Sequence, residues 1–202
     1  MKTALIAAAA TALALAVPAH AKIATGATVS DMTVVDSNGT THKLSDFAGK
    51  RVVLEWTNHG CPYVKKHYRT DNMQALQREA TADGDTVWLS VISSAPGKQG
   101  FVSGAEANEL TVTRGAAPTA VILDADGVAG KAFSARTTPH MYVIDENQTL
   151  VYQGAIDDNR SANPATVKGA KNYVRAALAD LDAGRAVAEG ETSPYGCSVK
   201  YK

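Results

Sequence analysis

The chain has 202 residues and no formal net charge, with 20 Lys and Arg against 20 Asp and Glu. That balance argues against nucleic-acid binding, which relies on a basic face. A hydrophobic content of 45% excludes bulk disorder and suits one domain of ordinary size with extras.

The opening reads as a secretory leader: Lys2 is a basic n-region, residues 4–17 are apolar and alanine-rich, and Ala19-His20-Ala21 is an A-x-A cleavage site. The run is too short and too alanine-rich to hold a bilayer well, and no second apolar span follows. The mature chain is expected to begin near Lys22, to leave the membrane after cleavage, and to work in a bacterial periplasm or outside the cell. Residues 22–184 then form the folded domain, and 185–202 a tail.

In chain order, residues 32–35 and 40–44 flank Ser37-Asn38-Gly39, and Asn-Gly is a strong hairpin signal. Residues 45–49 read as one capped helical turn. Residues 52–56 are an apolar, β-branched strand ending at Trp56, and a helix should run from Cys61 to about Ala82, stopped by Asp83-Gly84-Asp85. Residues 86–92 are a buried strand, so this strand–helix–strand order predicts parallel pairing. Ser103 and Glu106 form a capping box for a helix near 105–114. Residues 120–123 are a strand, 128–133 a short helix, and Pro139 opens a strand, as proline can at a first position. A four-residue turn at 145–148 leads to a strand over 150–156, so the second half shifts to an antiparallel hairpin. Residues 166–183 read as the strongest helix, with Val167, Ala170, Val174, Ala177, Leu178 and Leu181 on one face.

The chemistry centres on Cys61. Gly60 frees the turn before it, and Pro62 suits a first helical position. A cysteine at a helix N-cap meets unpaired N–H groups and the positive end of the helix dipole, which favour the thiolate. Lys65 and Lys66 are expected to add positive field. The other cysteine, Cys197, lies in a Pro- and Gly-marked tail, Ser193-Pro194-Tyr195-Gly196-Cys197. Two cysteines in an exported chain suggest a disulfide, whether catalytic, structural or between subunits. A flexible tail favours a resolving thiol on a mobile arm that reaches Cys61 by moving.

Asn38-Gly39, Leu44-Ser45-Asp46-Phe47-Ala48-Gly49-Lys50 and Thr138-Pro139-His140-Met141-Tyr142-Val143-Ile144-Asp145 together resemble the redoxins of the alkyl hydroperoxide reductase and thiol-specific antioxidant group. The resemblance implies an α/β thioredoxin-like fold: a central mixed sheet flanked by helices, with an N-terminal hairpin and a C-terminal tail. It implies a cis Pro139 against Cys61, with Thr138 offering backbone hydrogen bonds to an extended peptide or thiol substrate. His59 and His140 would then lie near the cysteine, with His67 also close, and Arg136 would stabilise a thiolate or peroxide. The pattern departs from both relevant subfamilies. Val64 stands where Cys-x-x-Cys has its second cysteine, and Leu54 and Asn58 stand where peroxiredoxins carry Pro and Thr, with Thr57 one residue away. The expected activity is thiol-based oxidoreduction through Cys61 and Cys197, on a peroxide or a protein thiol or disulfide, with an external reductant. No organic cofactor is expected, since no phosphate-binding glycine loop is present, and no metal is assigned. The alternative is a binding module for a peptide or copper, with Cys61 and Cys197 permanently joined.

Overall fold

The computed structural model describes residues 23–202. The expected leader and its cleavage site lie outside the described residues.

A five-stranded sheet organises the molecule. Its strands are β3 (Arg51–Trp56), β4 (Thr86–Ile92), β5 (Ala120–Leu123), β7 (His140–Ile144) and β8 (Leu150–Gly154), in the order β5-β4-β3-β7-β8. The apolar run of β3 makes it central. It pairs parallel with β4 and antiparallel with β7, so the sheet is mixed. The hairpin of β1 (Thr33–Val35) and β2 (Thr41–Lys43) precedes a 3-10 turn at Leu44–Phe47.

Alternation along β3 builds two cores. Val52, Leu54 and Trp56 face the hairpin side with Phe133 and Tyr142. Val53 faces Met73, Leu76, Trp88 and Val174 on the other side. Helices α1 (Pro62–Arg69), α2 (Asn72–Thr81), α3 (Gly104–Thr113), α4 (Val128–Ala132) and α5 (Tyr173–Asp182) flank the sheet. The capping box on α3 forms as expected, with the Ser103 N–H donating to Glu106 and the Glu106 N–H to Ser103 Oγ.

Three expectations need correction. The helix after Cys61 is two helices, because Asp71 takes a left-handed conformation (φ 57°) that ends the α ladder between α1 and α2. The helix expected over 166–183 begins only at Tyr173. Gly169 is left-handed, and Asn172 caps the new start by accepting from the Arg175 N–H at 2.9 Å. Third, the tail is not a free arm. Its backbone pairs with β8 through Gln153, whose N–H donates to Gly190 O and whose carbonyl accepts from Thr192. Farther on, β9 (Cys197–Ser198) pairs antiparallel with β6 (Thr137–Thr138), Val199 packs on the first core, and the Ala95 N–H donates to Lys200 O. The tail's backbone groups find partners on the domain, so it is part of the fold. No helix among the described residues is long and apolar enough to cross a membrane.

Candidate active site

The register of β3 on β7 places Trp56 opposite His140. The loop leaving Trp56 and the residues entering β7 therefore meet at one end of the sheet. Asn58 shapes that loop: its Oδ1 accepts from the Gly60 N–H at 2.9 Å, and its carbonyl accepts from the Cys61 N–H at 3.0 Å. The chain then turns into α1 with Cys61 as N-cap, in extended geometry (φ −72°, ψ 126°), and Pro62 in the first turn. Opposite, the Thr138–Pro139 bond is cis, as the resemblance implies. The Cys61 thiol points at that bond and donates to Thr138 O at 3.1 Å.

The second thiol completes the site. In the β6–β9 pairing Cys197 stands opposite Thr138, and its side chain hydrogen-bonds Cys61. Gly196 permits this approach. Its φ is 137°, and a Cβ there would lie 2.1 Å from the Thr138 carbonyl oxygen. Cys61 is 0% exposed, whereas Cys197 is only partly buried. Burial acts to raise the Cys61 thiol. Hydrogen bonds from the Cys197 side chain, the Val64 N–H at the helix start and the Cys197 N–H outweigh it, so Cys61 is lowered. Burial, and then its donation to Cys61, push Cys197 up to about 12. The first proton lost from the pair is therefore that of Cys61.

A buried polar cluster holds the tail over this site, and it was not legible in the sequence. Lys66, expected to project positive field, is instead 1% exposed and paired with Asp157 at 3.2 Å. Its ammonium also donates to Asn159 O at 2.8 Å. Tyr195, two residues before Cys197, donates its hydroxyl to Asp157 and packs edge-on against Tyr63. His67 shares the cluster, with Nε2 3.4 Å from the Tyr195 hydroxyl. Burial, helped by the Lys66 charge and opposed by Asp157, lowers His67 to about 4, so it is neutral at pH 7. No local pattern marks Lys66 or Asp157, since both look like ordinary surface charges. The only signal was an aromatic residue close to Cys197.

The other expected site residues line hollows that Cys61 does not. Arg136 contributes its backbone, its carbonyl accepting from the Val199 N–H and its N–H donating to His140 Nδ1 at 3.3 Å. Arg136 lines a hollow with His140, Gln153 and Pro194 that Cys61 does not line. His140 is buried and also meets the Tyr142 hydroxyl at 3.0 Å. His59 lines a separate hollow with Thr57, Tyr68 and Arg114, again without Cys61. Burial, then the charges of Arg114 and Lys65, lower His59. Among the described residues, no group of three His, Cys, Asp or Glu side chains is placed to hold a metal.

Glu55, six residues before Cys61 on β3, is fully buried and was also missed. It accepts from the Tyr68 hydroxyl at 2.9 Å, Ser90 Oγ at 3.0 Å, Trp88 Nε1 at 3.1 Å and Gln77 Nε2 at 3.1 Å. Burial raises its carboxyl against those donors.

A mixed sheet of this topology, with a thiol at a helix start facing a cis proline, defines a thioredoxin-like protein with a thiol redox function. Residues 24–174 match the redoxin family model, and the chain belongs to the redoxin family. Among solved structures, an uncharacterized conserved protein from Geobacillus kaustophilus is similar at 24% identity and a TM-score of 0.76, over 89% of this chain and 93% of that one. A hypothetical protein from Sinorhizobium meliloti 1021 is similar at 21% identity and a TM-score of 0.73, over 90% and 97%. The thioredoxin domain of a thiol-disulfide oxidoreductase from Bacteroides vulgatus aligns at 19% identity and a TM-score of 0.50, over 73% and 97%. No curated protein matches the chain. The redoxin match ends before the tail, so Cys197 is supplied from outside it.

Proposed function

We propose that the protein is an exported thiol-disulfide oxidoreductase whose working couple is Cys61 and Cys197. The observation that carries this reading is the β6–β9 pairing, which sets the Cys197 side chain against Cys61 beside the cis Thr138–Pro139 bond. A second sulfur in that place does for Cys61 what a Cys-x-x-Cys motif does within one helix turn. The couple cycles between dithiol and disulfide: Cys61 supplies the thiolate, Cys197 the second sulfur, and an outside thiol or disulfide exchanges with them.

Disulfide exchange fits better than peroxide reduction. A peroxidatic cysteine needs an open approach and donors aimed at the peroxide, yet Cys61 lies beneath β9. Thr57 lines a hollow that Cys61 does not, and Arg136 lines another. The leader-like start supports work in a periplasm or outside the cell, with a mature chain in which the segment 185–202 completes the fold of 22–184. N-terminal sequencing of protein from the producing cell should then begin near Lys22.

The test is a redox titration of the full chain in glutathione buffers, read by mass, alongside insulin-reduction and peroxide-consumption assays. An intramolecular disulfide that cycles reversibly, with insulin activity lost in both Cys61→Ser and Cys197→Ser, is expected. A disulfide that never cycles favours a structural staple, and peroxide turnover exceeding disulfide turnover refutes the exchange assignment.

A further inference from the structure

The two sulfurs differ in what they offer the outside. Cys61 is 0% exposed. Its thiol faces the Thr138 carbonyl and the Cys197 side chain and backbone N–H, so β9 roofs it. Cys197 belongs to that roof and keeps part of its surface in solvent. The roof is fastened on both sides of Cys197. Tyr195 is buried in the Lys66–Asp157 cluster before it, and after it the Val199 N–H donates to Arg136 O at 3.0 Å and the Tyr201 hydroxyl to Ala135 O at 2.8 Å.

We propose that Cys197, not Cys61, is the sulfur through which the couple exchanges with small external thiols. This rests on the reading of Cys61 and Cys197 as a redox couple, and it inverts the order expected from a helix-start nucleophile. The thiolate of a small thiol, RS⁻, attacks Cys197 Sγ of the oxidised couple in line with the S–S bond. A new R–S–S–Cys197 bond forms, the Cys61–Cys197 bond breaks, and its electron pair leaves on Cys61 as thiolate. A second RS⁻ then attacks the R sulfur, releasing RSSR and the Cys197 thiolate, which takes a proton from water. The thiol RSH is oxidised and the protein disulfide is reduced. In the opposite direction the Cys61 thiolate attacks the Cys197–S–S–R bond from beneath and expels RS⁻, so Cys61 remains the internal nucleophile.

Access and leaving group agree on this order. The attacked sulfur is the one that can be reached, and rates rise when the departing thiolate is the more stable one. Departure from Cys61 leaves the charge at the start of α1, against the Val64 N–H and the Cys197 N–H. Departure from Cys197 would leave it at a strand, with the Lys200 charge as its favourable influence.

The full mature chain is oxidised with diamide and its intramolecular disulfide verified by mass. Glutathione is then raised until half the disulfide opens. The reaction is quenched in acid at successive early times, alkylated, and mapped by peptide mass. Extrapolated to zero time, glutathione should sit on Cys197 and the alkyl label on Cys61, with an excess of about tenfold over the reverse pattern. Glutathione on Cys61, on both equally, or on neither while the disulfide is lost overturns the proposal. Failure to form a Cys61–Cys197 disulfide at the first step instead sinks the couple itself.

Discussion

Asp157→Asn is the most informative perturbation of the scaffold around the thiols. Asp157 is 3% exposed and is the carboxylate partner of Lys66, which is itself 1% exposed. Asparagine preserves shape and can still accept hydrogen bonds, but it leaves the Lys66 ammonium without a counter-charge. Removing one member of a buried pair costs about 3–5 kcal/mol, because the other charge stays desolvated. Contacts from Lys66 to Asn159 O and the Tyr195 hydroxyl remain, so the lower end, about 3 kcal/mol, is expected. At roughly 2–4 °C per kcal/mol for a chain of this size, that lowers Tm by about 10 °C. Urea unfolding followed by Trp fluorescence reads the loss. Replacing both charges, as Lys66→Met with Asp157→Leu, should recover only part of it, since the unpaired charge is gone but the buried Tyr195 hydroxyl loses its Asp157 acceptor and Asn159 O its Lys66 donor. If Asp157→Asn stays within about 1 kcal/mol of the parent, the ion pair is not buried as described and the reasoning fails.

Gly196→Ala should lift β9 from β6, because its Cβ would meet the Thr138 carbonyl oxygen; the tail then becomes sensitive to trypsin at Lys200 and the Cys61–Cys197 disulfide forms more slowly, whereas the parent tail resists cleavage in the reduced as well as the oxidised state. His67 has a folded pKa lowered to about 4 from 6.5, so its contribution is present above 6.5 and is lost as pH falls toward 4. The loss is at most about 3 kcal/mol, and it should vanish in urea melts of His67→Gln. Glu55 has a raised folded pKa, so above the unfolded value near 4.5 the unfolded chain ionises first and stability falls with rising pH. Glu55→Gln should remove that fall, and a parent chain that gains stability over Glu55→Gln between pH 5 and pH 8 contradicts the assignment.

Local chemistry was readable where one stretch of chain determines the outcome. The β-branched run into Trp56, the Cys-Pro helix start and the Ser103–Glu106 capping box each specify their own geometry, and all three are present. Pro139 was placed by resemblance and is cis. Errors arose where one spacing fits two conformations, or where distant groups decide. Thr70-Asp71 was read through as helix because Met73 and Leu76 keep inner-face spacing, and that spacing is equally satisfied by a fresh helix after a left-handed residue. The Gly169 break was hidden by Val167 and Ala170, which match the face of the helix that follows. The tail looked mobile because Pro194 and Gly196 resemble linker residues. Part of its hold comes from Lys66 and Asp157, 91 positions apart, meeting Tyr195, and no short window of sequence contains all three. The site was legible as a pair of cysteines, but not as a pair already in contact.

The closed edge of β6 bears on the size of what the proposed couple can exchange with. A strand edge beside a reactive sulfur is where an extended polypeptide would pair, and here the chain's own last strand occupies it. A foreign segment must compete with an intramolecular one, whose effective concentration is on the order of millimolar when the tether is short and flexible. It is higher here, where Tyr195 and Val199 pin both flanks. A small thiol faces no such competitor, because it needs only the solvent side of one sulfur. On the proposed reading, the β6–β9 pairing beside Cys61 thus sets a competition that a polypeptide must win and a small thiol escapes.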